Sequence, residues 1–200
     1  MPLDTVEVEE WISIRGVPVP RDVKFRQLIV TGPLCSGKSV LVARLGGWPE
    51  EGYLDLASPN WWRNRILTFR PREVHLGIPF VGHTVSRAVF DEELREAPGA
   101  VDLDRVRIPP PKRGFFTLDW RTRFVFDFQL PPLEVVYELA RARARRGTHP
   151  RDAGLTLAQI KFQIDAYETV ALHLHRQGMR VYVRDRSERA PRRIVDRQTG

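Results

Sequence analysis

Hydrophobic positions fall into short runs punctuated by glycine and proline, and their spacing alternates between strand-like and helix-like. Residues 5–15 alternate weakly at Val6, Val8, Ile12 and Ile14, which predicts one or two edge strands. Gly16-Val-Pro-Val-Pro-Arg21 reads as a connector, and Phe25 to Thr31 as a short buried strand. Val40 to Leu45 continues as a helix that Gly46 and Gly47 stop. Tyr53 to Leu56 reads as a second strand. Ser58 and Pro59 then supply an N-cap and a first-turn proline for a helix running through Trp61 to Leu67.

Glu73 to Phe80 is a third expected strand, and Thr84 to Arg95 a helix ended by Pro98 and Gly99. Residues 100–122 read as a proline-rich arm, with prolines at 109–111 and a hairpin turn near Arg121-Thr122. Arg123 to Phe128 is a fourth strand. Pro131 and Pro132 open a helix with apolar positions Leu133, Val136, Leu139 and Ala140. It ends in Arg141, Arg143, Arg145 and Arg146, before a loop from Gly147 to Gly154. Thr156 and Gln159 fit a capping box, and Ile160, Ile164, Tyr167, Ala171 and Leu174 form one helical stripe down to Gly178. Arg180 to Arg184 is a fifth strand, and the arginine-rich tail behind it reads as a frayed, solvated end. Strands alternating with helices predict an α/β fold with a mostly parallel, five-stranded sheet.

Composition narrows the class. Hydrophobic residues at 42% and charged residues at 28% in 200 positions are the balance of a chain that buries one core, not of a disordered tail. The longest apolar stretches, about five to seven residues, fall far short of the roughly 20 a membrane helix needs. With no basic start or apolar signal core at the N-terminus, the expectation is a cytoplasmic protein without membrane contact. Cys35 is the one cysteine, so disulfides within the chain and Cys-cluster zinc sites are excluded. The formal charge of +7 is almost all arginine, lysine occurring only at 24, 38, 112 and 161. Such charge fits a phosphate-bearing partner, nucleotide or nucleic acid, although a GC-rich genome produces the same arginine bias.

Gly32-x-x-x-x-Gly37-Lys38-Ser39 matches the Walker A phosphate loop, with a strand before it and a helix after it. Gly32 and Gly37 let the backbone curl so that amides turn toward phosphate oxygens, and the helix start adds its positive dipole end. Lys38 would reach the β- and γ-phosphates, and the Ser39 hydroxyl would ligate Mg²⁺. The expected ATP contacts are Gly32, Pro33, Leu34, Cys35, Ser36, Gly37, Lys38, Ser39 and Val40. Cys35 reads either as a small residue at a tolerant position or as an oxidation-sensitive thiol in an electropositive niche.

From residue 25 to 185 the order of motif, strands and helices resembles the nucleoside and nucleotide kinase group of P-loop proteins. The most similar part beyond the loop is Phe126-Asp-Phe-Gln-Leu-Pro-Pro132, followed by a helix ending in Arg141 to Arg146, a loop, a helix and strand 180–184. The resemblance implies a three-layer fold around a five-stranded parallel sheet, with an acceptor site beyond the second strand and an arginine-bearing lid before the last long helix. On that plan residues 1–22 are an N-terminal strand or extension, 23–200 the kinase-like domain, about 100–122 an insertion and about 141–155 the lid. The chain departs from the group at 73–80, which lacks the usual third-strand acidic residue.

Several side chains then become candidates. Asp127 follows an apolar run and reads as an Mg²⁺ contact or as a structural carboxylate. Asp55 could orient or deprotonate an attacking hydroxyl, or could simply face solvent. Arg141 and Arg145 share a helix face and could close over the transferring phosphoryl group, or could form a solvated helix end. Trp61, Trp62, Arg63 and Arg65 suit a nucleobase-like acceptor as aromatic faces with interleaved arginines, though core packing explains the tryptophans equally. His173 and His175, two apart on a helix, cannot share a metal.

The leading expectation is an ATP- and Mg²⁺-dependent kinase acting on a small nucleoside- or nucleotide-like acceptor. A P-loop kinase acting on DNA or RNA, and a nucleotide switch or ATPase with no acceptor, are the alternatives. No Asn-Lys-x-Asp guanine-reading sequence favours GTP.

Overall fold

The computed structural model describes residues 3–21, 27–45, 53–55, 120–147, 153–186 and 188–196. Among them are strands β1 (Thr5–Glu7), β2 (Trp11–Ile14), β3 (Val17–Pro20), β4 (Gln27–Thr31), β5 (Tyr53–Asp55), β6 (Phe124–Gln129), β7 (Arg180–Arg184) and β8 (Arg192–Ile194). The helices are α1 (Lys38–Leu45), α2 (Trp120–Arg123), α3 (Leu133–Arg145) and α4 (Leu157–Arg176). The architecture is mixed α/β.

The main sheet runs β1-β8-β7-β6-β4-β5, with β2 and β3 in a separate ribbon. Only β4, β6 and β7 are mutually parallel. β5 lies antiparallel to β4, and β8 and β1 extend the other edge in antiparallel fashion. Among the described residues the sheet thus has six strands, three of them mutually parallel, where a mostly parallel five-stranded sheet was expected. The expected strand at 73–80, the helices at 61–67 and 84–95, and the arm as far as residue 119 lie outside the described residues.

β6 explains how the sheet is sandwiched. Phe124, Phe126 and Phe128 point to one face, where Tyr167, Val170, Ala171 and Leu174 of α4 cover them together with Val181 and Ile194. Val125 points to the other face and packs with Leu28, Val30, Leu41 and Leu45, so α1 lies there. Val17 and Val19 of β3 complete that second cluster. A strand covered on both faces is buried along its length, and all six residues of β6 are buried, Asp127 and Gln129 included.

Four local expectations are corrected. Residues 17–20 form β3, paired with β2 across a turn in which Arg15 and Gly16 have φ of 51° and 79°. Prolines at 18 and 20 are tolerated because the ribbon has only two strands, and one edge of each needs no donor. Residues 120–123 are helical, where a hairpin turn was expected. Arg192 to Ile194, expected to fray, pair with both β1 and β7, and Ile194 is fully buried. The second strand, expected to be parallel, is antiparallel.

The last long helix forms as its sequence dictates. The Thr156 hydroxyl accepts from the Gln159 amide at 3.2 Å, and the Gln159 side chain accepts from the Thr156 amide at 2.9 Å. At the far end Gly178, with φ of 81°, lets its own amide reach the His175 carbonyl and the Met179 amide reach that of Leu174.

Candidate functional site

β4 ends at Thr31 and α1 starts at Lys38, so residues 32–37 must turn the chain from the sheet into a helix. Gly32, Cys35 and Gly37 all take positive φ, 145°, 57° and 91°. A Cβ at Gly32 would stand 2.2 Å from the Gln129 carbonyl oxygen and 2.9 Å from Ser36 Oγ. The loop is therefore pressed against the end of β6, and only glycine fits. A Cβ at Gly37 would meet nothing within 4 Å.

Lys38 is buried, 6% exposed. Its ammonium donates to the carbonyls of Gly32 at 2.7 Å and Pro33 at 2.5 Å, and to Ser36 Oγ at 3.3 Å. A lysine on the first turn of α1 thus reaches back across the loop that precedes it. Leu34 faces the other way and packs with Val136 and Ala140 of α3 and Ile160 of α4. Ser39 is the second residue of α1, with its side chain outside the described atoms, and Val40 is exposed. Residues 32–40 are one continuous structural unit, as the motif requires.

α3 contributes the nearest basic group. Arg143 Nη1 donates to Cys35 Sγ at 2.9 Å. Arg141 and Arg145 lie about 160° around the helix from Arg143, since successive residues turn by about 100°. They line an open groove on the outer side of α3, so the expected pair of lid arginines does not meet the loop. The residue that does was legible: the buried stripe Val136, Ala140 reaches Arg143 when carried one turn further.

Asp127 is engaged by a buried arginine. Its carboxylate accepts from Arg184 Nη2 at 2.6 Å and Nε at 2.9 Å on one oxygen. The other oxygen accepts from Gln129 Nε2 at 2.8 Å and, more weakly, from Arg184 Nε at 3.2 Å. The side chains of Asp127 and Arg184 are 1% and 0% exposed. Three N–H groups thus converge on the carboxylate, with the Arg184 Nε–H shared between its two oxygens. Of the two expectations for Asp127, this arrangement favours the structural carboxylate. Among the described residues no cluster of three or more His, Cys, Asp or Glu could hold one, and Ser39 is the motif's remaining candidate.

Asp55 is displaced by topology. Antiparallel pairing sets it opposite Gln27, at the end of β4 remote from the loop. Five residues at about 3.3 Å each separate that point from Gly32, roughly 16 Å along the strand. It is not brought to the phosphate loop. Trp61, Trp62, Arg63 and Arg65 lie outside the described residues.

Gln129 carries a feature the sequence does not announce. The residue is fully buried beside the loop, and its Oε1 has no hydrogen-bond partner among the described residues. Arg184 was equally hidden, because its pairing with Asp127 depends on the β6–β7 register and not on any local pattern.

Compared with protein-family models, curated proteins and solved structures, the chain matches none.

Proposed function

We propose that the protein is an ATP-dependent phosphotransferase of the three-layer P-loop kind, moving a γ-phosphoryl group to a nucleoside- or nucleotide-like acceptor. The observation that carries this reading is Lys38. Its ammonium is fastened to the Gly32 and Pro33 carbonyls, at the opening of a strand-to-helix loop with three positive-φ residues. A buried cation there, at the positive end of α1, suits a polyphosphate.

Each residue has a distinct task in this reading. The loop backbone cradles the phosphates, and Lys38 neutralises the charge that builds between the β- and γ-positions. Arg143, already in contact with Cys35, moves onto the phosphoryl oxygens. Leu34, packed into α3 and α4, ties the loop to that helix pair so that Arg143 and the loop stay in register. Mg²⁺, when bound with the nucleotide through Ser39, would supply further charge neutralisation. Catalysis is then positioning plus electrostatics, with no covalent intermediate on the protein.

The experiment uses the purified protein with Mg²⁺ and γ-labelled ATP, offered pools of nucleosides, nucleotides and oligonucleotides, with Lys38→Ala as control. Label entering one pool, and lost in the variant, supports the reading and names the acceptor. A second reading, a nucleotide switch or slow ATPase, is favoured by the engagement of Asp127 with Arg184, which leaves no carboxylate at the loop among the described residues. Tight ATP binding with label released only as phosphate would select it.

A further inference from the structure

We propose that the outer side of α3 binds a single-stranded polynucleotide. Tyr137, Arg141 and Arg145 are four residues apart in turn, so they stack along one side of the helix. They line an open groove of about 600 Å³, and Leu139, 46% exposed, adds an apolar wall. The Arg141 guanidinium lies 5.8 Å from the Tyr137 ring centroid. This is a cation–π contact on the helix surface.

The helix divides its labour by face. Val136 and Ala140 are buried against the loop and α4, and Arg143 contacts Cys35. Tyr137 is half-buried at the edge of that cluster, while Leu139, Arg141 and Arg145 are exposed, and the chemistry of this stripe identifies a partner. Arginine forks match phosphodiester oxygens, and an aromatic–guanidinium platform stacks a base of any identity. Glu138 is the one opposing charge among the described residues of the lining, against Arg141 and Arg145. An acidic peptide would satisfy the arginines but leave Tyr137 and Leu139 without use. A duplex hides its base faces, so the fitting form is a single strand.

This inference does not require the phosphotransferase reading, and the test separates them. A dye-labelled single-stranded oligonucleotide is titrated with the full chain across a salt series, read by fluorescence anisotropy. Binding should weaken with salt, and the double variant Arg141→Ala/Arg145→Ala should bind more weakly, with a log–log slope shallower by about 1.4, from two lost contacts at about 0.7 each. Tyr137→Ala should lose about tenfold in affinity at unchanged slope, while Tyr137→Phe retains it. Lys38→Ala should bind the oligonucleotide as the wild type does, even though it loses ATP. The proposal is overturned if no oligonucleotide binds at low salt, if duplex DNA or polyglutamate binds as well as the single strand, or if the double variant keeps the wild-type slope. Circular dichroism of each variant checks that it is folded, which matters most for Lys38→Ala, because Lys38 is buried while the three α3 side chains are at least partly exposed.

Discussion

Arg143 on α3 donates a hydrogen bond to the sulfur of Cys35 inside the loop at 32–37, 2.9 Å away. Sulfur is a weak acceptor, so this bond holds the guanidinium near the loop without competing strongly against a phosphate oxygen. Arg143→Ala should therefore lower kcat by about 10²-fold, the usual cost of removing one preorganised donor to a developing charge. Arg141→Ala and Arg145→Ala should each stay within a few-fold of wild type in ATP turnover, because they face the outer groove. Steady-state kinetics on the acceptor identified with labelled ATP checks the contrast. Equal losses from all three would mean that α3 rearranges as a whole.

How far the sequence carries is clearest on these same elements. α1, α3, α4, β4, β6 and β7 were legible because each is specified locally: by a glycine stop, a proline start, a capping box or a short apolar run. The pairing of β8 with β1 was not, since it joins Arg192 to Glu7 across nearly the whole chain and leaves no local mark. β5 was found as a strand, but its direction is a property of the pairing and cannot be read from Tyr53 to Asp55. That single reversal removes Asp55 from the site. The ion pair of Asp127 with Arg184 was hidden for the same reason, as strand neighbours are not adjacent in sequence.

The two loop glycines should fail differently. Gly32→Ala drives a methyl into the Gln129 backbone, where neither side can yield, and should cost about 3 kcal/mol of stability or more. Gly37→Ala meets no atom and costs only the strain of its positive φ, about 1–2 kcal/mol. Urea unfolding followed by circular dichroism measures both. Equal destabilisation would show that the loop is not pressed against β6.

Asp127 separates a strut from a metal ligand. Replacing it with Asn keeps the shape but leaves the Arg184 guanidinium buried without its counter-charge, a loss of about 4 kcal/mol. The paired change Asp127→Leu/Arg184→Met removes both charges and should recover most of that stability. Thermal unfolding of the three proteins gives the coupling directly. A stable Asp127→Asn protein that had lost only Mg²⁺-dependent activity would return the residue to the metal.

Glu168 on α4 gives the fold a pH signature. Burial raises its pKa above the ordinary 4.5, and the neighbouring Asp165 carboxylate adds to the effect, while Lys161 opposes it. A raised pKa means that the folded chain holds this proton to higher pH than the unfolded chain does. Its contribution to stability is complete below pH 4.5 and is lost as pH rises through the folded value. At neutral pH the ionised carboxylate is therefore a net cost relative to a neutral amide. Glu168→Gln should raise the melting temperature at pH 7, and the gain should shrink steadily toward pH 4 as the wild-type carboxyl takes up its proton. Melting curves at several pH values across that range decide the matter. A gain that stays constant with pH would mean that the amide acts through a new hydrogen bond and not through the removal of charge.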